Sequence, residues 1–160
     1  MNQYNIYKVP CDDDRGYRVY VPRPLPIGPV AERYATVVTC HDPLCHIGIE
    51  STGAMLAGVG LAGRHQAGHT EDSFATIDVA DPTLFDPAPN RPVLVDNSVH
   101  TGVTLSRAVG YLHRRFIYPG TLVTLFNYGD EQEFAMREWI SHNLGMEVIA
   151  LFNHADLGGS

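Results

Sequence analysis

The stretch RPVLVDNSVHTGVTLSRA, residues 91–108, constrains the fold of this 160-residue chain more than any other. An apolar run at Val93–Val95 leads into a polar segment around Gly102, and a helical pattern follows. A strand that breaks into polar residues and restarts as a helix is typical of α/β proteins that hold phosphorylated ligands. We therefore expect a strand, a ligand-binding turn and a helix in this order.

The rest of the chain alternates between strand-like and helical segments. Strands are expected at 45–50, within 73–80, and at 93–95, 121–128 and 146–152. Helices are expected at about 53–63, 101–116 and 131–144, and a helix with or without a strand after it at about 30–40. A short strand and a proline-rich ordered loop are expected at 16–30. The alternation predicts one α/β domain over residues 1–160, with a mostly parallel sheet covered on both sides.

Composition and charge exclude several classes of function. The net charge of −7 argues against a general binder of nucleic acids or membrane surfaces, because both need a basic face. No apolar run approaches the roughly 20 residues of a membrane span, and the N-terminus lacks a signal sequence, so a cytoplasmic location is expected. The three cysteines do not have the spacing of a disulfide framework, and reduced thiols are expected.

The polar segment after Val95 carries groups that suit a sugar phosphate. At the carboxyl end of a parallel strand, Asp96 and Asn97 would lie at the mouth of the site and could hold ribose hydroxyls. The turn Thr101–Thr104 contains a glycine that lets backbone N–H groups approach a phosphate, and the start of the helix adds a favourable dipole. The segment therefore predicts a site for a ribose 5-phosphate.

Two blocks of the sequence resemble motifs of the type I phosphoribosyltransferases. VLVDNSVHTGVTL (93–105) resembles their phosphoribosyl pyrophosphate motif, and HIGIESTGAMLA (46–57) resembles their pyrophosphate-binding loop. The part from residue 121 onward is closest to the orotate phosphoribosyltransferase branch, and the resemblance covers about residues 17–157. It implies a central, mostly parallel sheet flanked by helices, a small N-terminal hood at about 1–30, and a mobile loop and hairpin at about 64–92.

The resemblance implies an enzyme that transfers ribose 5-phosphate from phosphoribosyl pyrophosphate to a nitrogenous base and releases pyrophosphate, with Mg²⁺ as cofactor. The implied partners are phosphoribosyl pyrophosphate, a base or nucleotide, and a second copy of the chain in a homodimer with shared mobile loops. Asp96, His100 and Arg64 take the catalytic positions, and Asp96 and Asn97 the metal positions. The implied substrate-binding residues are Glu50, Ser51, Thr52, Gly53, Asn97, Ser98, Val99, Thr101, Gly102, Val103 and Thr104.

The sequence departs from the family pattern at several positions. The second acidic position is Asn97, and His100 stands where purine-salvage members place an acidic residue. The loop region has no lysine, and Asn127–Tyr128 replaces an Asp-Arg pair of the orotate enzymes, which argues against orotate as the substrate. Two functions remain open: an active transferase with an unidentified base, or a sensor or regulatory subunit that binds phosphoribosyl pyrophosphate or a nucleotide without efficient turnover.

Each motif also has a simpler structural interpretation. The turn at Gly102 could be plain helix capping, Asp96 a charge at a helix end, and Glu50 a cap for the helix that follows it. His65 and His69, four residues apart, could bind a metal with nearby cysteines, although the C-x₄-C spacing fits no common zinc site.

Overall fold

Helices connect the strands of one parallel sheet, which forms the centre of the molecule. A computed structural model describes residues 6–10, 18–22, 27–99, 102–126 and 131–153. In chain order the elements are β1 (Ile6–Pro10), β2 (Arg18–Pro22), α1 (Ile27–Val37), β3 (Leu44–Ile49), α2 (Thr52–Gln66), β4 (Ser73–Ile77), a 3₁₀ turn (Pro82–Leu84), β5 (Arg91–Val95), α3 (Val103–Arg114), β6 (Thr121–Phe126), α4 (Glu131–Leu144) and β7 (Glu147–Phe152). Within the described ranges, every helix is too short or too polar to cross a membrane.

The five strands of the main sheet are parallel and lie in the order β4-β3-β5-β6-β7. From β3 the chain moves outward to β4 and then returns to the other side of β3, where β5, β6 and β7 follow. The strand order therefore reverses between β3 and β5. At such a switch point the two adjoining connections leave on opposite faces, which opens a crevice at the carboxyl ends of the strands. β1 and β2 form a separate antiparallel pair, with Ile6 opposite Pro22.

Each face of the sheet has its own apolar core. On one face, Tyr34 of α1 and Leu56 of α2 pack with Val95 of β5. On the other face, Leu105 of α3 and Ile140 of α4 pack with the strand side chains that point the opposite way. All six residues of β3 are buried, as expected for a strand with helices on both sides. The predicted α/β fold class is confirmed.

Helices α1 and α2 approach each other closely because α2 presents glycines to α1. A Cβ on Gly60 would lie 2.5 Å from the ring of Tyr34, and a Cβ on Gly63 would overlap the carbonyl of Ala31. Helix α2 begins at the carboxyl edge of the sheet, after β3, and ends at the amino edge, before β4. Its docking on α1 therefore fixes the position of its first residues at the carboxyl edge.

Most predicted elements are confirmed with small shifts at their ends. α4 begins and ends where the sequence indicated, and the predicted limits of β3, β6 and β7 differ by one or two residues. Residues 30–40 contain only the helix α1 and no strand. Strand β1 has no counterpart in the sequence-based prediction.

The prediction of a hairpin within residues 64–92 is wrong. Helix α2 continues to Gln66, and in the described region β4 pairs in parallel with β3 alone. The 3₁₀ turn at Pro82–Leu84 then leads to β5. Two charged residues of this polar region, Arg64 and Asp72, pair with each other inside the fold.

Arg64 is buried at the amino edge of the sheet, with 1% of its surface exposed. Its guanidinium donates to Asp72 Oδ2 at 2.7 Å, to Asp42 Oδ1 at 2.6 Å and to the carbonyl of Val38 at 2.9 Å. The N–H of Leu44 donates to the other carboxylate oxygen of Asp72 at 2.9 Å. This cluster joins the end of α2 to the start of β3, at the edge opposite to the predicted site. A fixed, planar donor set of this kind requires arginine.

The charge cluster continues inward through His46 to Tyr34. His46 Nε2 lies 2.9 Å from Asp72 Oδ2, and Nδ1 lies 2.7 Å from the Tyr34 hydroxyl. Because an ionised carboxylate only accepts, Nε2 carries the hydrogen and the Tyr34 hydroxyl donates to Nδ1. Burial lowers the pKa of His46 and keeps the ring neutral. Burial alone would raise the pKa of Asp72, but the hydrogen bonds from Arg64, His46 and Leu44 outweigh it and lower this pKa to about 2.

Arg64→Ala is expected to destabilise the fold by about 3–5 kcal/mol, because Asp72 would stay buried without its charge partner. The loss should shrink as the pH falls from about 4 to 2, since the ionised form of Asp72 stabilises the fold only above its folded pKa of about 2. Urea unfolding of Arg64→Ala, with Arg107→Ala on the exposed side of α3 as the control, measures both effects. Equal unfolding midpoints for the two variants would contradict the structural role of Arg64.

Candidate active site

Two polar turns meet at the switch point between β3 and β5. In the parallel register Gly48 lies opposite Val95, so the two strands end at the same level. Glu50 begins the turn between β3 and α2, and Asp96 begins the longer turn between β5 and α3. The carboxyl edge therefore brings together the two blocks that resemble phosphate-binding motifs.

Two glycines allow these turns to touch. A Cβ on Gly53 would lie 2.6 Å from the carbonyl oxygen of Val95 and 3.4 Å from Asp96 Oδ1. A Cβ on Gly48 would lie 2.5 Å from the Cα of Ala54, in the first turn of α2. Contacts this short exclude any side chain at positions 48 and 53. The glycines of the first block are therefore required by the approach of α2 to β5 and β3.

Backbone hydrogen bonds extend the sheet into both turns. The Glu50 N–H donates to the carbonyl of Ile77 at 3.0 Å, and the Asp96 N–H donates to the carbonyl of Val123 at 3.0 Å. The Leu125 N–H donates to the carbonyl of Asn97 at 3.1 Å. Strand β6 therefore forms backbone hydrogen bonds with the first two residues of the second turn. The peptide bond between residues 50 and 51 is cis. Both turns are therefore fixed to neighbouring strands before any ligand binds.

Gly102 marks the start of α3 and adopts a left-handed backbone conformation with φ of +79°. Its carbonyl accepts a hydrogen bond from the Ser106 N–H at 2.8 Å. On its other side lies Trp139 of α4: a Cβ on Gly102 would be 2.9 Å from Cζ3 of the indole. A non-glycine residue would be disfavoured by both its φ and this contact.

A cavity of about 200 Å³ opens between the two turns. Its lining residues are Ile49, Glu50, Asp96, Ser98, Val99, Gly102, Thr104 and Leu105. Apolar side chains from the end of β3 and the start of α3 form part of the wall, and carboxylates and hydroxyls form the rest. The cavity combines apolar and polar lining groups, as small-molecule sites commonly do.

The cavity is acidic. Burial raises the pKa of Asp96 to about 6, and the hydrogen bond that its Oδ1 accepts from the Asn97 N–H at 2.8 Å only partly opposes this. Among the described lining residues none carries a positive charge. Glu50 and Asp96 supply carboxylate oxygens, which suit Mg²⁺, a cation that is commonly held by one or two carboxylates together with substrate phosphates. The donor set therefore fits Mg²⁺ bound jointly with a phosphorylated ligand.

The structure brings together most of the residues that the sequence predicted. On the cavity wall lie Glu50, Asp96, Ser98, Val99, Gly102 and Thr104. Next to these in the two turns, but not among the lining residues, are Ser51, Thr52, Gly53, Asn97 and Val103. His100, Thr101 and the Asn127–Tyr128 pair lie outside the described residues. Arg64 is at the opposite edge of the sheet inside an ion-pair cluster, so its interpretation as a site residue is wrong.

Among the described residues, the N-cap positions of α2 and α3 make no side-chain cap hydrogen bond. Ser51 is the N-cap residue of α2, where Glu50 was the candidate cap, and it makes no side-chain cap hydrogen bond. The N-cap residue of α3 is Gly102, which has no side chain. Asp96 precedes α3 by more than one turn, whereas helix-end charges act within the first turn. Glu50 and Asp96 are therefore not explained as helix caps, while the alternative in which His100 or Thr101 caps α3 falls outside the described residues.

Sequence reasoning missed three residues of the site: Ile49, Leu105 and Trp139. The first two are apolar neighbours of the motifs, and an apolar residue beside a polar turn gives no functional signal of its own. Trp139 comes from α4, far along the chain from Gly102, and only the packing of α4 beside α3 brings the two together.

Asp96→Asn is expected to stabilise the ligand-free protein at neutral pH. Because burial raises the folded pKa of Asp96 from 3.8 to about 6, the ionised group destabilises the fold increasingly as the pH rises through this window. The gain should approach about 3 kcal/mol at most above pH 6 and vanish near pH 4. Urea unfolding at pH 4 and pH 7.5 measures it, with Asp86→Asn on an exposed loop as the control. A gain that is the same at both pH values would contradict the buried-carboxylate interpretation.

No protein-family model and no curated protein sequence matches this chain. Solved structures do match it. An orotate phosphoribosyltransferase from Mycobacterium tuberculosis superposes with a TM-score of 0.70 over 98% of this chain and 94% of that one, at 13% identity. The corresponding enzyme from Francisella tularensis gives a TM-score of 0.68 over 95% of this chain and 81% of that one, at 15% identity.

An adenine phosphoribosyltransferase from Rhodothermus marinus also matches, with a TM-score of 0.63 over 93% of this chain and 94% of that one, at 15% identity. Proteins named for two different bases therefore share this architecture along nearly their whole length. The chain has the phosphoribosyltransferase fold, as the resemblance of its two motifs predicted.

Proposed function

We propose that this chain is a phosphoribosyltransferase that transfers ribose 5-phosphate from phosphoribosyl pyrophosphate to a nitrogenous base. The single observation that carries the proposal is the cavity at the switch point. There, half-buried Asp96 and the glycine turn that begins α3 share one wall, and the Glu50–Gly53 turn forms the other side. The fold shared with orotate and adenine phosphoribosyltransferases supports the same reaction class.

The size of the cavity supports a pentose phosphate as the ligand. At about 200 Å³ it is smaller than the roughly 300–1,000 Å³ of pockets that take drug-sized ligands. It can take the ribose and one phosphate, while the base would lie in the wider crevice outside it. The turn from Gly102 to Thr104 supplies backbone N–H groups and a hydroxyl for the 5-phosphate.

The chemistry assigns a role to each side of the site. A ring nitrogen of the base forms a bond to C1 of the ribose as the bond from C1 to the pyrophosphate oxygen breaks. Positive charge develops on the sugar, and the ionised carboxylate of Asp96 stabilises it in a partly buried setting. The backbone of the Glu50–Gly53 turn receives the leaving pyrophosphate. Glu50 and Asp96 would hold Mg²⁺ together with the substrate, and the ion would supply the positive charge that the described lining residues lack for the leaving pyrophosphate.

The proposal includes a homodimer, as the resemblance of the two motifs implies, and a cytoplasmic location. Arg64 cannot be the residue that one subunit lends to the other, because its guanidinium is buried in its own chain. A shared site would therefore need a different residue. Light scattering of the purified chain measures the oligomeric state directly.

The decisive experiment measures pyrophosphate release from phosphoribosyl pyrophosphate and Mg²⁺ over a panel of purine, pyrimidine and pyridine bases, with a base-free control. We expect one class of base to accelerate release, and chelation of Mg²⁺ to abolish it. Binding of phosphoribosyl pyrophosphate by calorimetry without release for any base would favour the sensor alternative, which Asn97 motivates. Absence of both binding and release would overturn the proposal.

A matched pair of substitutions tests the roles of Asp96 and Asn97. Asp96→Asn should lower kcat/KM by roughly 30- to 1000-fold, because it removes a negative charge that stabilises the cation developing on the sugar. This stabilisation is worth on the order of 2–4 kcal/mol. Asn97→Asp restores the acidic pair of the family and should leave turnover near the wild-type value or tighten Mg²⁺-dependent binding. Steady-state kinetics of both, with Asp86→Asn as the control, measure the difference. Wild-type activity in Asp96→Asn would show that this carboxylate has no part in the reaction.

A further inference from the structure

Trp139 closes the turn at Gly102 from outside the cavity. It is the single tryptophan of the chain, and 37% of its surface is exposed. The benzene edge of its indole faces Gly102: a Cβ there would lie 2.9 Å from Cζ3, 3.2 Å from Cη2 and 3.6 Å from Cε3. Trp139 is not among the residues that line the described cavity. Trp139 can therefore affect a ligand in the cavity only through the conformation of the turn.

The backbone conformation of Gly102 explains why the turn needs the contact with Trp139. Glycine enters the left-handed region at φ of +79° easily, but for the same reason it leaves that region easily. The hydrogen bond from Ser106 to the Gly102 carbonyl restrains the helical side of the turn. The indole edge occupies the other side, and an indole is a rigid wall with only two side-chain torsions. The two restraints together hold one conformation of Gly102.

The position of Trp139 is set by the core. Its neighbour Ile140 is 2% exposed and packs with Leu105 of α3, the helix that Gly102 begins. The carbonyl of Trp139 accepts a hydrogen bond from Asn143 Nδ2 at 3.0 Å, within α4. Ile140, together with Met136 and Leu144, packs α4 on the apolar core, whereas the indole is 37% exposed. Removal of the indole should therefore affect the turn more than the stability of the fold.

We infer that Trp139 is a positioning residue for the 5-phosphate of the substrate, and that its indole holds the Gly102 turn in the binding conformation before the substrate arrives. The inference rests on the proposed function and extends it to a residue outside the two motifs. A turn fixed in advance lowers the cost of ordering the protein on binding. Because the 5-phosphate is held equally in the ground state and the transition state, the effect falls on KM and not on kcat.

The test compares Trp139→Ala and Trp139→Phe with Phe134→Ala, a control that removes an aromatic side chain of 67% exposure from the same helix. Calorimetry with Mg²⁺ gives the Kd for phosphoribosyl pyrophosphate, and steady-state kinetics give KM and kcat. We expect Trp139→Ala to raise Kd and KM by about tenfold or more with kcat changed less than about threefold, and Trp139→Phe to lie between it and the wild type. The Phe134→Ala variant should bind like the wild type. In the wild type, the fluorescence of this single tryptophan should change as ligand saturates the site.

The outcomes separate this inference from the function on which it rests. If the wild type binds phosphoribosyl pyrophosphate and Trp139→Ala binds it equally well, the positioning role is wrong while the proposed function stands. A fall in the melting temperature of Trp139→Ala with unchanged Kd would assign the indole a purely structural role and would also overturn the inference. If the wild type fails to bind phosphoribosyl pyrophosphate or ribose 5-phosphate, the proposed function fails, and the inference fails with it.

Discussion

The approach of helix α2 to the end of strand β5 is the constraint on which the site depends. Gly53 comes so close to the carbonyl of Val95 that no side chain fits between them, and this contact joins two turns from separate parts of the chain. Between these turns lies the cavity of about 200 Å³, where partial burial raises the pKa of Asp96 to about 6. The two turns that line the cavity are therefore joined by one backbone contact.

The pKa of an aspartate is shifted in opposite directions at the two edges of the sheet. At the amino edge Asp72 is surrounded by donors, which hold its pKa at about 2, and the resulting cluster stabilises the fold. At the carboxyl edge Asp96 is half-buried with one backbone donor, and its pKa rises. A carboxylate without a partner costs stability, and proteins keep such groups where a ligand supplies the missing charge. The contrast separates the structural edge from the functional edge.

The sequence was sufficient where local pattern and tertiary structure agree. Strand and helix periodicity predicted α4 at both ends, and the two motifs predicted the side chains of the cavity wall from Glu50 to Thr104. Arg64 was misplaced because a basic residue among polar neighbours gives the same pattern in a loop as in a buried ion pair. Only the three-dimensional arrangement shows that Asp72 and Asp42 surround it. Trp139 could not be assigned for the related reason that its partner, Gly102, is remote in sequence.

Helix α2 has a consequence for attempts to move this site to another protein. Four of its fifteen residues are glycine, and each costs the helix about 1 kcal/mol relative to alanine, so its own propensity is poor. Gly60 and Gly63 cannot be replaced to compensate, because Tyr34 and Ala31 of α1 occupy the space that a side chain would need. The Glu50–Gly53 turn is thus not a portable module. A graft that carried the turn and α2 without α1 would transfer the sequence of the loop and lose its shape.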